Sequence, residues 1–190
     1  MSKLFIYDTE TTGLYPTKNF IHQLAYIIVI NDEVITKDKL YIKPPPLAEY
    51  DPKALEVSGV TRDQIDSYPD YKSVHKQLVL ELSKHVNKFN KNDKFHLVGY
   101  NNIRFDNEFL RVLWSVCDDK YFGSMFWADS IDTMSLASSY LHKIRPTLPN
   151  FKLATVAEAL GFTIEDEKLH DSFYDLELTY NIFKKIYCGL

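Results

Sequence analysis

Five side chains in this sequence could together do acid, base or metal chemistry: Asp8, Glu10, Asp106, His170 and Asp175. Asp8 and Glu10 close a short apolar run, Leu4-Phe5-Ile6-Tyr7, that favours the extended state. Residues two apart in a strand share a face, so these two anions project side by side and repel unless a cation compensates. Hard carboxylate oxygens suit Mg²⁺ or Mn²⁺. Thr11, Thr12 and Gly13 follow, offering hydroxyls, backbone N–H groups and a turn where a substrate can approach closely. Asp106 falls near the start of a helix after an apolar strand, Phe95 to Gly99, and the C-terminal ends of such strands are where α/β ligands collect. Asp175 sits among Phe173, Leu176 and Leu178, so the last helix can turn it inward. His170 precedes it by five residues, after the charged segment 165–168. Taken singly, each has a plainer explanation. Asp8 and Glu10 could end a strand in solvent, and Asp106 could be a first-turn acid favoured by the helix dipole. Asp175 could be exposed, and His170 a surface histidine. As a set they are harder to explain that way.

The elements that must position these residues can be read from periodicity and punctuation. Phe20 to Ile30 is a long apolar run, Asn31-Asp32 reads as a tight turn, and Glu33 to Ile42 as the return strand. With the opening strand, that makes three antiparallel strands. Lys43-Pro44-Pro45-Pro46 stops the sheet, because proline cannot donate to a ladder. Asp51-Pro52 reads as a helix cap with proline at the first position, and that helix ends near Gly59. Thr61 to Gln64 has capping-box spacing. Val74, Leu78, Leu82 and Val86 predict one amphipathic helix over residues 71–89. After the strand at 95–99, Phe105, Phe109, Leu110 and Leu113 fall at helical spacing. A second short strand covers 126–131, Asp132 caps a further helix, 143–150 is loop, 153–160 is helix stopped by Gly161, and 171–187 is the last helix. Three strands followed by helices alternating with single strands predict an α/β layer fold built on a mixed sheet, in one domain over 1–190.

Composition excludes little. The net charge of −4 gives no global basic signature for nucleic acid, although a basic groove can be local. No apolar run approaches the ~20 residues of a membrane span, and the opening run is too short for a signal peptide. Cys117 and Cys188 show no redox or metal-ligand spacing, so both are read as reduced and the protein as cytoplasmic, with no membrane partner.

Asp8-Thr9-Glu10, Asn102-x-x-Phe105-Asp106 and His170-x-x-x-x-Asp175 resemble the three motifs of the DEDD exonucleases in their histidine-bearing, DnaQ-like (DEDDh) branch. The segments 55–61, 97–106 and 148–153 are further similar to the nuclease domain of the bacterial exonuclease I family. The resemblance covers nearly the whole chain. It implies an RNase H-like three-layer α/β fold, with a mixed five-stranded sheet and helices on both faces. It implies a 3′→5′ exonuclease that releases nucleoside 5′-monophosphates from single-stranded DNA with two divalent ions, Mg²⁺ with Mn²⁺ able to substitute. Asp8, Glu10 and Asp175 would hold one ion, and Asp8 with Asp106 the other; His170 would be the general base. Thr11, Thr12, Gly13 and Leu14 would hold the terminal nucleotide. Asn102 would contact sugar or phosphate, or fix the turn; Phe105 would stack on a base, or fill the core. Arg104, Lys143 and Arg145 are candidate phosphate contacts.

Two other functions share these motifs: an oligoribonuclease-like trimming of RNA 3′ ends, and a proofreading subunit working with a DNA polymerase or other replication and repair proteins. A nucleic-acid-binding protein with a dead nuclease site should have lost an acid or the histidine, and none is lost here. Exonuclease I continues into accessory domains that this sequence does not contain, so high processivity and contact with single-strand-binding protein are not expected.

Overall fold

The computed structural model describes residues 2–169 and 171–187. Five strands form one mixed sheet in the order β3-β2-β1-β4-β5. They are β1 (Lys3–Thr11), β2 (Ile21–Ile30), β3 (Glu33–Tyr41), β4 (Phe95–Gly99) and β5 (Phe126–Asp132). The first three are antiparallel, while β4 runs parallel to β1 and β5 parallel to β4. Asn31 and Asp32 both take positive φ, 51° and 68°, so the β2–β3 hairpin is closed as the sequence predicts.

The sheet is buried on both faces because strand parity sends alternate apolar residues to opposite sides. Phe5, Tyr7, Tyr26 and Ile28 meet Leu78, Leu82, Phe109 and Trp114 of α3 (Tyr71–Ser83) and α4 (Asp106–Val116). Leu4, Ile6, Ala25, Ile27 and Val29 meet Leu176, Tyr180 and Phe183 of α8 (Ser172–Tyr187). Behind α8 lie α6 (Thr133–Tyr140) and α7 (Leu153–Ala159), packed through Ala137, Val156 and Ile182. The result is the expected three-layer arrangement. Each large side chain buried here contributes ~1.5–3 kcal/mol relative to exposure.

The short helices start where their caps predict. Asp51 Oδ1 accepts from the Lys53 N–H (2.9 Å) at the head of α1 (Pro52–Ser58), and Thr61 and Gln64 exchange reciprocal bonds at α2 (Arg62–Asp66). β1 runs through both acids, as the sequence predicts, to Thr11, and β2 pairs with it that far, to Ile21. Two departures have physical reasons. α3 ends at Ser83, short of Phe89, although Val86 still reaches the core. Beyond it, Asp93 accepts the Asn87 N–H (2.9 Å) and pairs with Lys3, which holds the chain in turns. The one-turn helix α5 (Phe122–Met125) was not anticipated, since one turn is too short to show a period. Cys117 is a free, half-buried thiol pushed up to about 11 by burial, consistent with an inert residue; Cys188 lies outside the described residues.

Candidate active site

Parity places the first two acids. Asp8 and Glu10 continue the Leu4–Ile6 side of β1, the side covered by α8. Asp175 comes from the first turn of α8, where Asp171 caps the helix by accepting the N–H groups of Phe173 (3.0 Å) and Tyr174 (3.1 Å). Asp8, Asp175 and Thr179, one turn further along, line a cavity of about 190 Å³ with Tyr7, Tyr100 and Leu153. Asp106 arrives from the other side. It is the first residue of α4 and is buried, and its Oδ1 accepts both the Thr9 N–H (3.1 Å) and the Thr9 hydroxyl (2.6 Å). The residue between the two strand acids thus ties the third to them. Neighbouring Asn107 accepts the Tyr7 hydroxyl, which anchors the same helix start.

The electrostatics follow from this crowding. Burial pushes the Asp8 carboxyl well above its usual range, and the charges of Asp106, Glu10 and Asp175 push it further, opposed by the Thr9 N–H. Asp106 is raised to about 6, chiefly by burial and in part by Asp132, while its bonds from Thr9 hold it down. Three carboxylates therefore act on that of Asp8 at the C-terminal end of β1. Among the described residues no three acidic, histidine or cysteine side chains close on a common point at ligating distance. The donor set still fits a hard divalent cation: every member is an oxygen ligand, and their mutual repulsion is what such an ion relieves. His170 lies outside the described residues.

The residues after Glu10 divide by role. Leu14, 65% exposed, lines a cleft of about 360 Å³ with Glu10, Thr11, Phe105, Lys53, Ala54 and Val57. Phe105 lines this cleft and also packs on Phe109, with ring centroids 4.9 Å apart. Thr12 and Gly13 have close partners within the chain. The Thr12 hydroxyl is fully buried, donates to the Glu49 carbonyl (2.7 Å) and accepts the Phe20 N–H (3.1 Å), so it clamps two loops together. The close approach that Gly13 permits is taken by the Asn19 side chain: a Cβ would come within 2.4 Å of it. Thr11 turns its hydroxyl to the Gly13 carbonyl (2.7 Å). Of the two roles open to Asn102, its geometry serves the turn. It is buried, donates to Ser130 Oγ (2.9 Å) and Asn107 Oδ1 (3.3 Å), and lies where any side chain at Gly99 would collide. Arg104 and Lys143 are exposed, and Arg145 lies over the Phe151 ring at 4.5 Å. Sequence reasoning missed Thr9, Val57, Tyr100 and Thr179; only Thr9, between two acids, had a local signal.

A family model described as an exonuclease of the RNase T type matches residues 5–183. The chain belongs to this exonuclease family. The DnaQ-like resemblance read from the three motifs is thereby borne out. Among relatives, this exonuclease domain is 26% identical over 178 residues to a PolC-type DNA polymerase III of Mycoplasmopsis pulmonis and 26% identical over 178 residues to that of Thermotoga maritima. It spans 94% of itself but 11% of either polymerase. Its fold superposes on E. coli exonuclease I in complex with a dT13 oligonucleotide, with a TM-score of 0.75 at 22% identity, over 97% of this chain and 41% of that one. A zinc-bound form of E. coli exonuclease I with single-stranded DNA superposes equally well, with a TM-score of 0.75 at 21% identity, over 99% and 41% of the two chains. Among the described residues no helix is long and apolar enough to cross a membrane.

Proposed function

We propose that this chain is a metal-dependent 3′→5′ exonuclease that removes nucleoside 5′-monophosphates from single-stranded DNA. The observation that carries the reading is the convergence of Asp8, Glu10, Asp106 and Asp175, from three elements, on the end of β1 beside an open cleft. Nothing in the packing of an apolar sheet calls for four interacting acids there, and hydrolysis of a phosphodiester does. When bound, two divalent ions, Mg²⁺ with Mn²⁺ as a substitute, supply the charge neutralisation and the activation of water that the reaction needs. Asp8, Glu10 and Asp175 are assigned to one ion, and Asp8 with Asp106 to the other. Thr9 fixes the orientation of Asp106. His170 is assigned to take the proton of the attacking water, because a neutral imidazole is available near pH 7. Leu14, Ala54, Val57 and Phe105 give the cleft apolar walls against which a terminal base can rest, whatever its identity.

The test compares linear and circular single strands of one sequence at equal concentration, with the 3′ end free or blocked. The reading expects mononucleotides from the free 3′ end alone. Cutting of the circle as fast as the linear strand would sink it. The PolC-type relatives favour a related role, in which the same chemistry removes misincorporated 3′ nucleotides beside a polymerase. A mismatched primer end degraded faster than a matched one would support that role.

A further inference from the structure

The carboxylates occupy the C-terminal ends of β1 and β4. The opposite ends of the same strands carry a surface of different character. Residues 84–94, between α3 and β4, present Lys88 and Lys91 to solvent on either side of Phe89, which is 90% exposed. One exposed apolar residue on a loose loop would mean little, but this loop is framed. The Phe89 N–H donates to Asn87 Oδ1 (3.2 Å), the Asn92 N–H to Asn90 Oδ1 (3.0 Å), and the Asn87 N–H to Asp93 Oδ2 (2.9 Å). Lys3, buried on β1, donates to the His85 carbonyl and pairs with Asp93, the only acid of the segment. Lys84 is engaged by Glu81. Among the described residues no carboxylate lies within ion-pair distance of Lys88, Lys91 or Lys94. Lys94 Nζ sits 5.2 Å from the centre of the Trp127 ring, which also stacks with His96. On a chain of net charge −4, three cations without a carboxylate partner and two aromatic rings thus gather at one pole.

We propose that this pole is a second docking site for single-stranded nucleic acid, holding the strand upstream of the end being processed; this rests on the exonuclease reading above. Phe89 offers a ring face on which any base can stack, and Lys88 and Lys91 can take the flanking phosphates. An acidic peptide would use the lysines but leave the held-out phenylalanine without a role. Along β1, Lys3 and Asp8 are about 16 Å apart at ~3.3 Å per residue. An extended, unstacked strand advances about twice the ~3.4 Å of a stacked one per nucleotide, so about four nucleotides can span the two sites and three cannot. The pole should therefore act on long strands and not on very short ones.

The experiment uses the full chain and 5′-labelled dT3 and dT20. Binding is followed by anisotropy in chelator at several salt concentrations, and turnover is measured separately with Mg²⁺. Phe89→Ala is expected to weaken dT20 binding by about 5- to 100-fold while leaving dT3 turnover unchanged. Lys88→Ala/Lys91→Ala is expected to flatten the salt slope for dT20 by about 1.4, at ~0.7 per phosphate contact. Equal dT20 affinity and salt slope in parent and both variants would overturn the docking site. So would displacement of dT20 by a poly-glutamate peptide whose own affinity is indifferent to Phe89→Ala. Binding in chelator decides the docking site. Failure to turn over either oligonucleotide with Mg²⁺ would instead reject the exonuclease reading, so the two can fail separately.

Discussion

Replacing Asp106 by asparagine should make the metal-free protein more stable while destroying its chemistry. Asp106 is buried, and its carboxyl is raised to about 6. An unfolded aspartate titrates near ~3.9. An acid whose folded pKa is raised holds its proton longer in the native state, so stability falls as pH climbs from the unfolded to the folded value and stays low above it. The gap of about two pKa units corresponds to ~3 kcal/mol at about pH 8, of which roughly half is gone by about pH 5. Asparagine removes the charge and keeps an Oδ1 that can accept both Thr9 bonds. Asp106→Asn should therefore melt higher than the parent in chelator at about pH 8, by up to ~6–12 °C at ~2–4 °C per kcal/mol for a chain of this size. The difference should shrink as pH is lowered and should reverse when saturating Mg²⁺ is added, since only the parent gains from the ion. The assay is thermal melting of both proteins across pH, with and without metal. A variant that melts at or below the parent at every pH in chelator would refute the reasoning, and would make the Thr9–Asp106 contact a stabilising one as it stands.

Three further outcomes are expected. Asp175→Asn should abolish hydrolysis yet keep the fold, because the α8 cap is Asp171; circular dichroism and activity read the two separately. Gly13→Ala should cost ~1–3 kcal/mol in denaturant unfolding, because its Cβ would meet Asn19 at 2.4 Å; unchanged stability would show that Asn19 yields freely. His170→Ala should lose ~10²–10⁴ in kcat while substrate binding persists, and its residual rate should rise with pH as hydroxide replaces the base.

What could be read from sequence was whatever depends on period or on near neighbours. Leu4, Ile6, Asp8 and Glu10 share a face by parity alone, and that face proved to be the one under α8, where Asp175 waits. The caps at Asp51, Thr61 and Asp132 are local devices, and each marked its helix. What stayed hidden depends on partners distant in the chain. The partner of the Thr12 hydroxyl, the Glu49 carbonyl, lies 37 residues away. Nothing near Gly13 in sequence announces the Asn19 side chain packed against it. Val57 was invisible as a cleft wall because α1 buries no side chain and so shows no apolar period. The end of α3 was misjudged because Asp93 and Lys3, remote from its apolar stripe, decide where the chain turns.

The central claim is that the carboxylates at the end of β1 are a divalent-metal site, with Asp8 shared by both ions. The most direct measurement is Mn²⁺ binding to the parent and to Asp8→Asn, followed by electron paramagnetic resonance without substrate. The parent should take up Mn²⁺ in competition with Mg²⁺, and Asp8→Asn, still folded, should lose that uptake. Equal uptake by the two proteins would contradict the account.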